Sequence, residues 1–262
     1  MTPTTGALES RLRARRDAGH KLLVPYLTGG LDDDWLDAVR AVADAGADAV
    51  EIGIPFSDPV MDGPVIQLAS QRALARGTTP TSVLAEASKL DVDLPMAVMT
   101  YVNLVGHMGY RRFAAALADA GVAAAILPDL PLDELGPWAD AADAHGVETV
   151  LLAAPTTPDD RIRAICARAR GFVYGVSLLG VTGERATLAE RAADVARRCK
   201  AVTDTPVLLG VGISNAGVAV EACEAADGVV VGSALVRRLL DGGGPAAAHA
   251  FIAELRAALD AR

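Results

Sequence analysis

AVEIGIPFSDPVMDGP, at residues 49–64, joins a short apolar run to a polar loop. The run at 49–54 does not alternate apolar and polar residues, which is typical of a parallel strand that is covered on both faces. Its one charged residue is Glu51, and a buried charge is costly unless it is neutralised or paired. The loop that follows carries two more carboxylates, Asp58 and Asp62. Glu51 is therefore a functional candidate from its position alone.

Further short apolar runs lie before and after this one, and helix-like stretches separate them. The eight runs lie at residues 22–28, 49–53, 96–101, 123–128, 149–154, 172–177, 207–212 and 228–232. Eight β–α repeats in 262 residues predict an α/β protein, with one (β/α)8 TIM barrel spanning residues 1–262 as a single domain. The rival architecture is a doubly wound open sheet, but no GxGxxG motif follows the first run, which favours closure.

Two stretches exceed the simple β–α repeat. A helix carrying the basic patch Arg11 to Arg16 is predicted before the first strand. Residues 64–90 are longer than one helix, so we expect an extra helix in that βα connection. The predicted barrel therefore has an additional N-terminal helix and additional helices in its βα loops.

Composition excludes several classes of function. Apolar residues make up 52% of the chain, which predicts a large core, and the net charge of −9 disfavours nucleic acid and anionic membranes as partners. The three cysteines are scattered in helix-like contexts and are expected to be buried thiols, and the four histidines lack metal-ligand spacing. We therefore expect no metal site. No apolar run approaches 18 residues and no signal-like segment begins the chain, so we expect a cytoplasmic protein.

The chemistry of a TIM barrel sits at the C-terminal ends of its strands. Strand alternation puts Glu51 on the same face as Ala49 and Gly53, inside the barrel mouth, where small neighbours would leave room for a ligand. Burial would raise its pKa and prepare it for proton transfer. The alternative is a structural glutamate satisfied by its neighbours. Asp62 has its own alternative, because it precedes a predicted helix that begins at Pro64 and could simply cap it.

Glycines cluster at the ends of the last three predicted strands. They lie in the segments 177–183, 210–214 and 232–233, the last at the start of a short helix. Glycine lets backbone N–H groups approach an anion, and a helix N-terminus attracts one. We therefore predict a phosphate site there, against the simpler possibility that the glycines only end strands.

Six further segments, together with residues 50–64, form an ordered set of motifs. They are VPYLT at 24–28, MTYVN at 99–103, LPDLP at 127–131, APTTP at 154–158, GVTG at 180–183 and ADGVVVGSA at 226–234. In order and spacing the set resembles the tryptophan synthase α subunit family of indole-3-glycerol-phosphate lyases. A generic phosphate-binding barrel would share only the last motif.

The resemblance implies a role for each matching residue. Glu51 corresponds to the general acid/base, Asp62 to the carboxylate that faces the indole nitrogen, Tyr174 to an active-site tyrosine and Thr182 to a mobile-loop threonine. The implied phosphate cradle is Gly183, Gly212, Gly232 and Ser233. The implied apolar wall around the indole is Tyr26, Ile66, Met99, Leu127 and Val211.

The resemblance also implies a reaction and a partner. The family cleaves indole-3-glycerol phosphate to indole and glyceraldehyde 3-phosphate by a retro-aldol reaction, with no cofactor or metal. It passes the indole to a β subunit in an αββα assembly, and Asp58 and Asn103 match positions at that contact. The alternatives are a stand-alone lyase that releases free indole and a non-catalytic α-like subunit that activates a partner.

The chain departs from the family at several loop positions, none of which removes a catalytic group. The departures are residues 29–31 (Gly-Gly-Leu), Met61, Leu104, Leu178 and Glu184. Several of them lie on loops that, in the family, face the β subunit or close the site.

Overall fold

A computed structural model, described over residues 5–176, 185–210 and 212–261, shows a closed barrel of eight parallel strands. Each strand pairs with the next along the chain, and the last pairs back to the first. The strands are β1 Leu22–Thr28, β2 Val50–Gly53, β3 Met96–Met99, β4 Val122–Ile126, β5 Glu148–Ala153, β6 Val173–Gly175, β7 Val207–Leu209 and β8 Gly228–Val231. The predicted TIM barrel is confirmed.

Helices surround the barrel and follow the predicted pattern, with additions. They are α1 Ala7–Asp17, α2 Trp35–Asp44, α3 Pro64–Ala75, α4 Pro80–Ala87, α5 Val102–Met108, α6 Tyr110–Asp119, α7 Gly136–Ala144, α8 Asp159–Arg168, α9 Arg185–Lys200, α10 Ala216–Ala222, α11 Ser233–Leu240 and α12 Gly244–Asp260. The long connection after β2 holds two helices, α3 and α4, and α1 is the predicted N-terminal helix. Sequence periodicity did not predict α5, because its seven residues are too few to show a helical repeat.

Two apolar cores result from strand alternation. Ala49 belongs to the core inside the barrel, whereas Val50 and Ile52 pack in the outer core between strands and helices. Inward-facing residues of the other strands, among them Val24 and Ala97, complete the inner core. The barrel is therefore a packed body, and space for a ligand remains only at an end.

Helix α1 closes the N-terminal end of the barrel. Its Leu8 and Leu12 are fully buried in the inner core. Glu148, the first residue of β5, accepts hydrogen bonds from the backbone N–H groups of Leu8 at 2.8 Å and Glu9 at 3.1 Å. The carboxylate thereby satisfies N–H groups in the first turn of α1 that have no helical partner. With this end plugged, the C-terminal mouth is the face left for chemistry.

Three further observations concern the described residues. The three cysteines are buried and form no disulfide bond with one another, as predicted. No helix in the described part of the chain is long and apolar enough to cross a membrane. Across residues 5–176, 185–210 and 212–261, no group of three or more His, Cys, Asp or Glu side chains is placed to hold a metal ion. The single-domain assignment over residues 1–262 stays a prediction.

Candidate active site

A cavity of about 870 Å³ opens at the C-terminal ends of the strands. Its walls come from the ends of β1 to β8, from the loop after β2 and from the first turns of α3 and α11. The lining includes Tyr26, Glu51, Met61, Asp62, Ile66, Met99, Ile126, Pro128, Tyr174, Gly210, Gly212, Gly232, Ser233 and Arg237. The predicted acid–base residues and the predicted phosphate-binding strand ends therefore share one cavity.

Glu51 is buried in the floor of this cavity, with 1% of its surface exposed. Its Oε2 atom has no hydrogen-bond partner among the described residues. Burial, helped by the nearby charge of Asp62, raises the pKa of Glu51 to about 8. The carboxyl group is thus protonated at neutral pH and has an oxygen free for a ligand. The alternative of a structural glutamate satisfied by its neighbours does not fit this geometry.

The space beside Gly53 is used differently from the prediction. The ring of Tyr26 occupies it, and a Cβ atom at Gly53 would overlap the Tyr26 hydroxyl. Tyr26 lies directly opposite Glu51 in the pairing of β1 with β2. The glycine therefore makes room for an aromatic side chain that lines the cavity, and not for the ligand itself.

Asp62 reaches the cavity from the loop after β2. Burial raises its pKa to about 6, and a hydrogen bond from the Tyr101 hydroxyl opposes part of that rise. The capping alternative for Asp62 is wrong, because Gly63 holds the N-cap position of α3 and its backbone is extended there. With a pKa near 6, Asp62 is mostly ionised at neutral pH, whereas Glu51 is mostly protonated. Two carboxyl groups whose pKa values are separated in this way are suited to different proton-transfer roles.

The tyrosines of the cavity remain neutral phenols. Burial, followed by nearby carboxyl charge, raises the pKa of both Tyr26 and Tyr174 above the usual value for tyrosine. Tyr174 lies over Gly210, where a Cβ atom would overlap its ring. It also packs against Phe172, with 5.6 Å between ring centroids. Neutral phenols and apolar side chains make this part of the cavity suitable for a flat aromatic ligand.

The predicted indole wall is matched in part. Tyr26, Ile66 and Met99 line the cavity. Leu127 does not, and this assignment is corrected: it packs in the outer core, whereas Ile126 lies in the inner core. Alternation along β4 turns consecutive side chains to opposite faces, so Ile126 and Pro128 line the cavity instead. Val211 lies outside the described residues.

The glycine-rich end combines a turn and a helix start. Gly212 has a φ of +58°, a conformation that favours glycine, and a Cβ atom there would meet nothing within 4 Å. Gly232 is the N-cap of α11, and Ser233 is its first residue. The backbone N–H groups of Ser233 and Ala234, at the start of that helix, lie at the positive end of the helix dipole. Thr182 and Gly183 lie outside the described residues.

Sequence patterns gave no functional role to two cavity residues, Gly210 and Arg237, or to Tyr101, which contacts the loop that carries Asp62. Tyr101 was quoted inside a motif without a role, and Gly210 and Arg237 were not singled out. Tyr101 lies two residues after β3, and Gly210 lies directly after β7. Both positions were usable signals, because the functional residues of a TIM barrel lie at the C-terminal ends of its strands. Arg237 had no such signal, because only its place one turn after Ser233 brings it to the cavity.

The two predicted partner-contact residues are both on the surface. Asp58, in the loop after β2, and Asn103, in α5, are exposed. Val60 and Met61 beside them are exposed large apolar side chains, at 77% and 42%. Their role in contact with a partner stays a prediction.

Comparisons with known proteins agree with this geometry. A family model described as tryptophan synthase alpha chain matches residues 12–256. The tryptophan synthase alpha chain of Streptomyces coelicolor is 45% identical over 92% of this chain and 90% of its own length. That of a Picosynechococcus strain is 41% identical over 97% and 99%.

Solved structures give the same result. A tryptophan synthase structure from Mycobacterium tuberculosis superposes with a TM-score of 0.90 at 36% identity, covering 98% of this chain and 99% of that one. A tryptophan synthase alpha chain from Legionella pneumophila gives 0.87 at 32% identity, with 98% of each chain covered. By sequence and by structure, the chain belongs to the tryptophan synthase alpha chain family.

Proposed function

We propose that this protein cleaves indole-3-glycerol phosphate to indole and glyceraldehyde 3-phosphate and delivers the indole to a tryptophan synthase β subunit. The observation that carries the proposal is the pair of carboxyl groups in one cavity, with pKa values of about 8 for Glu51 and about 6 for Asp62. An acid and a base that coexist at neutral pH are what this cleavage requires.

The reaction balances with these two groups. Protonated Glu51 donates a proton to carbon 3 of the indole, which turns the ring into an indoleninium cation. Ionised Asp62, facing N1–H, stabilises that positive charge. The hydroxyl group on the carbon attached to the ring then loses its proton to the Glu51 carboxylate. The carbon–carbon bond breaks, its electron pair returns to the ring, and indole and the aldehyde separate.

The rest of the cavity supports binding. Tyr26, Ile66, Met99 and Tyr174 supply the apolar surface that would hold the indole ring. At the other end, backbone N–H groups near Gly212 and in the first turn of α11 would hold the phosphate, with the Ser233 hydroxyl adding one bond. Positioning the substrate between these ends supplies part of the rate, since oriented reactants avoid an entropy cost.

The roles of Thr182 and Gly183 are retained in this proposal from the family resemblance. The loop that carries them would close over the substrate and bring Thr182 to Asp62, and the β subunit would favour that closed form. Asp58 and Asn103 would lie at the contact with β, in an αββα assembly. We also retain a cytoplasmic location, which suits an enzyme of amino-acid biosynthesis.

The experiment is an indole-release assay with indole-3-glycerol phosphate, with and without the cognate β subunit. We expect slow cleavage by the chain alone and a rate at least several-fold higher with β. Full activity that β does not change would support the stand-alone lyase. No cleavage under either condition, with β still activated, would support the non-catalytic subunit.

A further inference from the structure

We propose that Tyr101 is a positioning residue for Asp62, because its hydroxyl group accepts a hydrogen bond from the backbone N–H of Met61 and is placed to donate one to the Asp62 carboxylate. The first bond measures 3.1 Å between Met61 N and Tyr101 Oη. The phenol also lowers the pKa of the Asp62 carboxyl group as a hydrogen-bond donor, which places the hydroxyl beside that carboxylate. One hydroxyl group thus holds both the backbone and the side chain of the segment that carries Asp62.

This segment needs such a support. Asp62 stands on a loop, not on a strand, and its neighbours Val60 and Met61 are exposed. The local backbone bonds join Val60 N to Asp58 O at 2.9 Å and Asp62 N to Pro59 O at 3.0 Å, both within the loop itself. Tyr101 instead connects the loop to the segment between β3 and α5, two residues after the end of β3. A functional group on a loop gains precision when a rigid element fixes it.

Tyr101 is itself fixed by burial, by a ring contact and by backbone hydrogen bonds. It is 2% exposed, and its ring stacks on Phe56 with 5.0 Å between centroids. It occupies the N-cap position of α5, and its carbonyl oxygen accepts bonds from the backbone N–H groups of Leu104 at 3.0 Å and Val105 at 3.4 Å. The next N–H, of Val102, donates to Asp129 at 2.9 Å. The phenol therefore comes to Asp62 in a fixed orientation.

The electrostatic surroundings of Asp62 make this donor important. The titratable groups that interact with Asp62 are Glu51 of β2, Tyr26 of β1, Tyr174 of β6 and Tyr101 itself. Asp129, after β4, acts on Tyr101. Within the described residues, no Lys or Arg forms an ion pair with Asp62. The phenol of Tyr101 lowers the pKa of Asp62 against the effect of burial and so favours its ionised form.

The expected change in kcat/KM rests on the proposed function, whereas the expected change in the Asp62 pKa does not. Tyr101→Phe keeps the ring and its stacking on Phe56 and removes only the hydroxyl group. A hydrogen bond to a charged group changes an equilibrium by about tenfold or more, so we expect the Asp62 pKa to rise by about one unit. The acidic limb of the pH dependence of kcat/KM for indole-3-glycerol phosphate would move up by the same amount. The loss in kcat/KM would be about tenfold below pH 6 and smaller above pH 8.

The measurement is the 13C chemical shift of the Asp62 carboxyl carbon during a pH titration, for wild type and Tyr101→Phe, beside the pH–rate profiles. Tyr110→Phe is the matched control, since Tyr110 lies in α6 against Trp138 and does not line the cavity. We expect the control to leave both curves unchanged. A second variant with 3-fluorotyrosine at position 101, a stronger donor, should move the Asp62 pKa down.

The outcomes are separable. An Asp62 titration that neither variant moves would overturn the inference, as would a loss of activity in Tyr101→Phe that is the same at every pH. Wild type that does not cleave the substrate would overturn the proposed function and leave the carboxyl titration as the test of Tyr101. If Tyr101→Phe does not fold, the 3-fluorotyrosine variant decides, and an unmoved Asp62 pKa counts against the inference.

Discussion

The barrel mouth has two sides that differ in which chemical groups they offer. The carboxylate side lies on β2 and its loop and offers side chains, whereas the glycine side lies after β7 and β8 and offers mainly backbone groups. On the first side, the chemistry is in side chains whose ionisation is shifted by burial, namely Glu51 and Asp62. On the second side, Gly212 and Gly232 offer backbone N–H groups, beside the side-chain donors Ser233 and Arg237.

The difference predicts opposite responses to mutation. A carboxyl group loses its acid–base function when it is replaced by the amide of the same size and shape. A backbone cradle tolerates the loss of a side chain but not the addition of one that fills its space. Proton transfer should depend on the first side and phosphate recognition on the second. The predictions below test that division, from the largest expected effect to the smallest.

Glu51→Gln should lower kcat for cleavage of indole-3-glycerol phosphate by about 10²–10⁴-fold, because the amide cannot transfer the proton. Steady-state indole release measures this, and we expect little change in KM. A variant that keeps more than about a tenth of the wild-type kcat would remove Glu51 from the mechanism.

The thermal stability of Glu51→Gln shows whether the carboxyl group also has a structural role. Burial raises the folded-state pKa of Glu51 from 4.5 to about 8, so the folded state binds the proton more tightly than the unfolded state. Wild-type stability therefore falls as the pH rises from about 4.5 through about 8. Glutamine has no charge to bury, so Glu51→Gln should have a Tm at pH 8 or above that is equal to or higher than that of wild type. A lower Tm at that pH would indicate a structural role for the carboxyl group.

Asp62→Asn should lower kcat by about 10²-fold, since a neutral amide cannot stabilise the indoleninium charge by Coulombic attraction. Asparagine keeps the size and shape of the side chain, so the substitution isolates the loss of the negative charge. The measurement is the same indole-release assay. A near-normal rate would mean that ionised Asp62 is not needed.

Gly212→Ala should raise KM for indole-3-glycerol phosphate by about tenfold, because the methyl group enters the space where the phosphate is expected. Gly146→Ala is the matched control: Gly146 has a φ of +70°, equally open surroundings and a place before β5, at the opposite end of the barrel. Both substitutions put alanine at a positive φ, which costs about 1–2 kcal/mol, and only the first should change KM.

The reverse condensation adds a second readout for Gly212→Ala. Its KM for glyceraldehyde 3-phosphate should rise, whereas its KM for indole should not. An equal rise for both substrates would place the defect outside phosphate recognition.

Ser233→Ala should raise the same KM values by only a few-fold, since the backbone N–H groups of α11 remain. Arg238→Gln serves as a control on the same helix, because Arg238 is half-buried, stacks on Phe251 and does not line the cavity. A loss at Ser233 as large as the loss at Gly212 would show that the cradle depends on a side chain, contrary to the division proposed here.

Much of the fold could be predicted because its signals are local. Eight apolar runs separated by helical stretches set the number of repeats, and Glu51 stood out as a single charge in such a run. The boundaries were less accurate: the strand predicted at 207–212 ends at Leu209. The apolar run extends beyond the last backbone hydrogen bond between neighbouring strands, and the strand ends at that bond.

The candidate site was predicted where residues follow a strand directly and missed where geometry is non-local. The family motif assigned Leu127 to the cavity, but its position directly after β4 turns it to the outer core. Tyr101, the N-cap of α5, reaches the loop that carries Asp62, and Arg237 reaches the cavity from α11. Both contacts depend on loop and helix geometry that spacing along the chain does not encode.

The sequence by itself determined the barrel class, the family and the two carboxyl groups, because apolar periodicity and an isolated buried charge are properties of short segments. Only the tertiary structure decided which carboxyl group is protonated at neutral pH, since that depends on burial and on charges from other strands. It alone placed the Tyr26 ring over Gly53 and the Tyr101 hydroxyl between Met61 and Asp62. Those contacts join β1 to β2 and the segment after β3 to the loop after β2, and barrel closure brings them together.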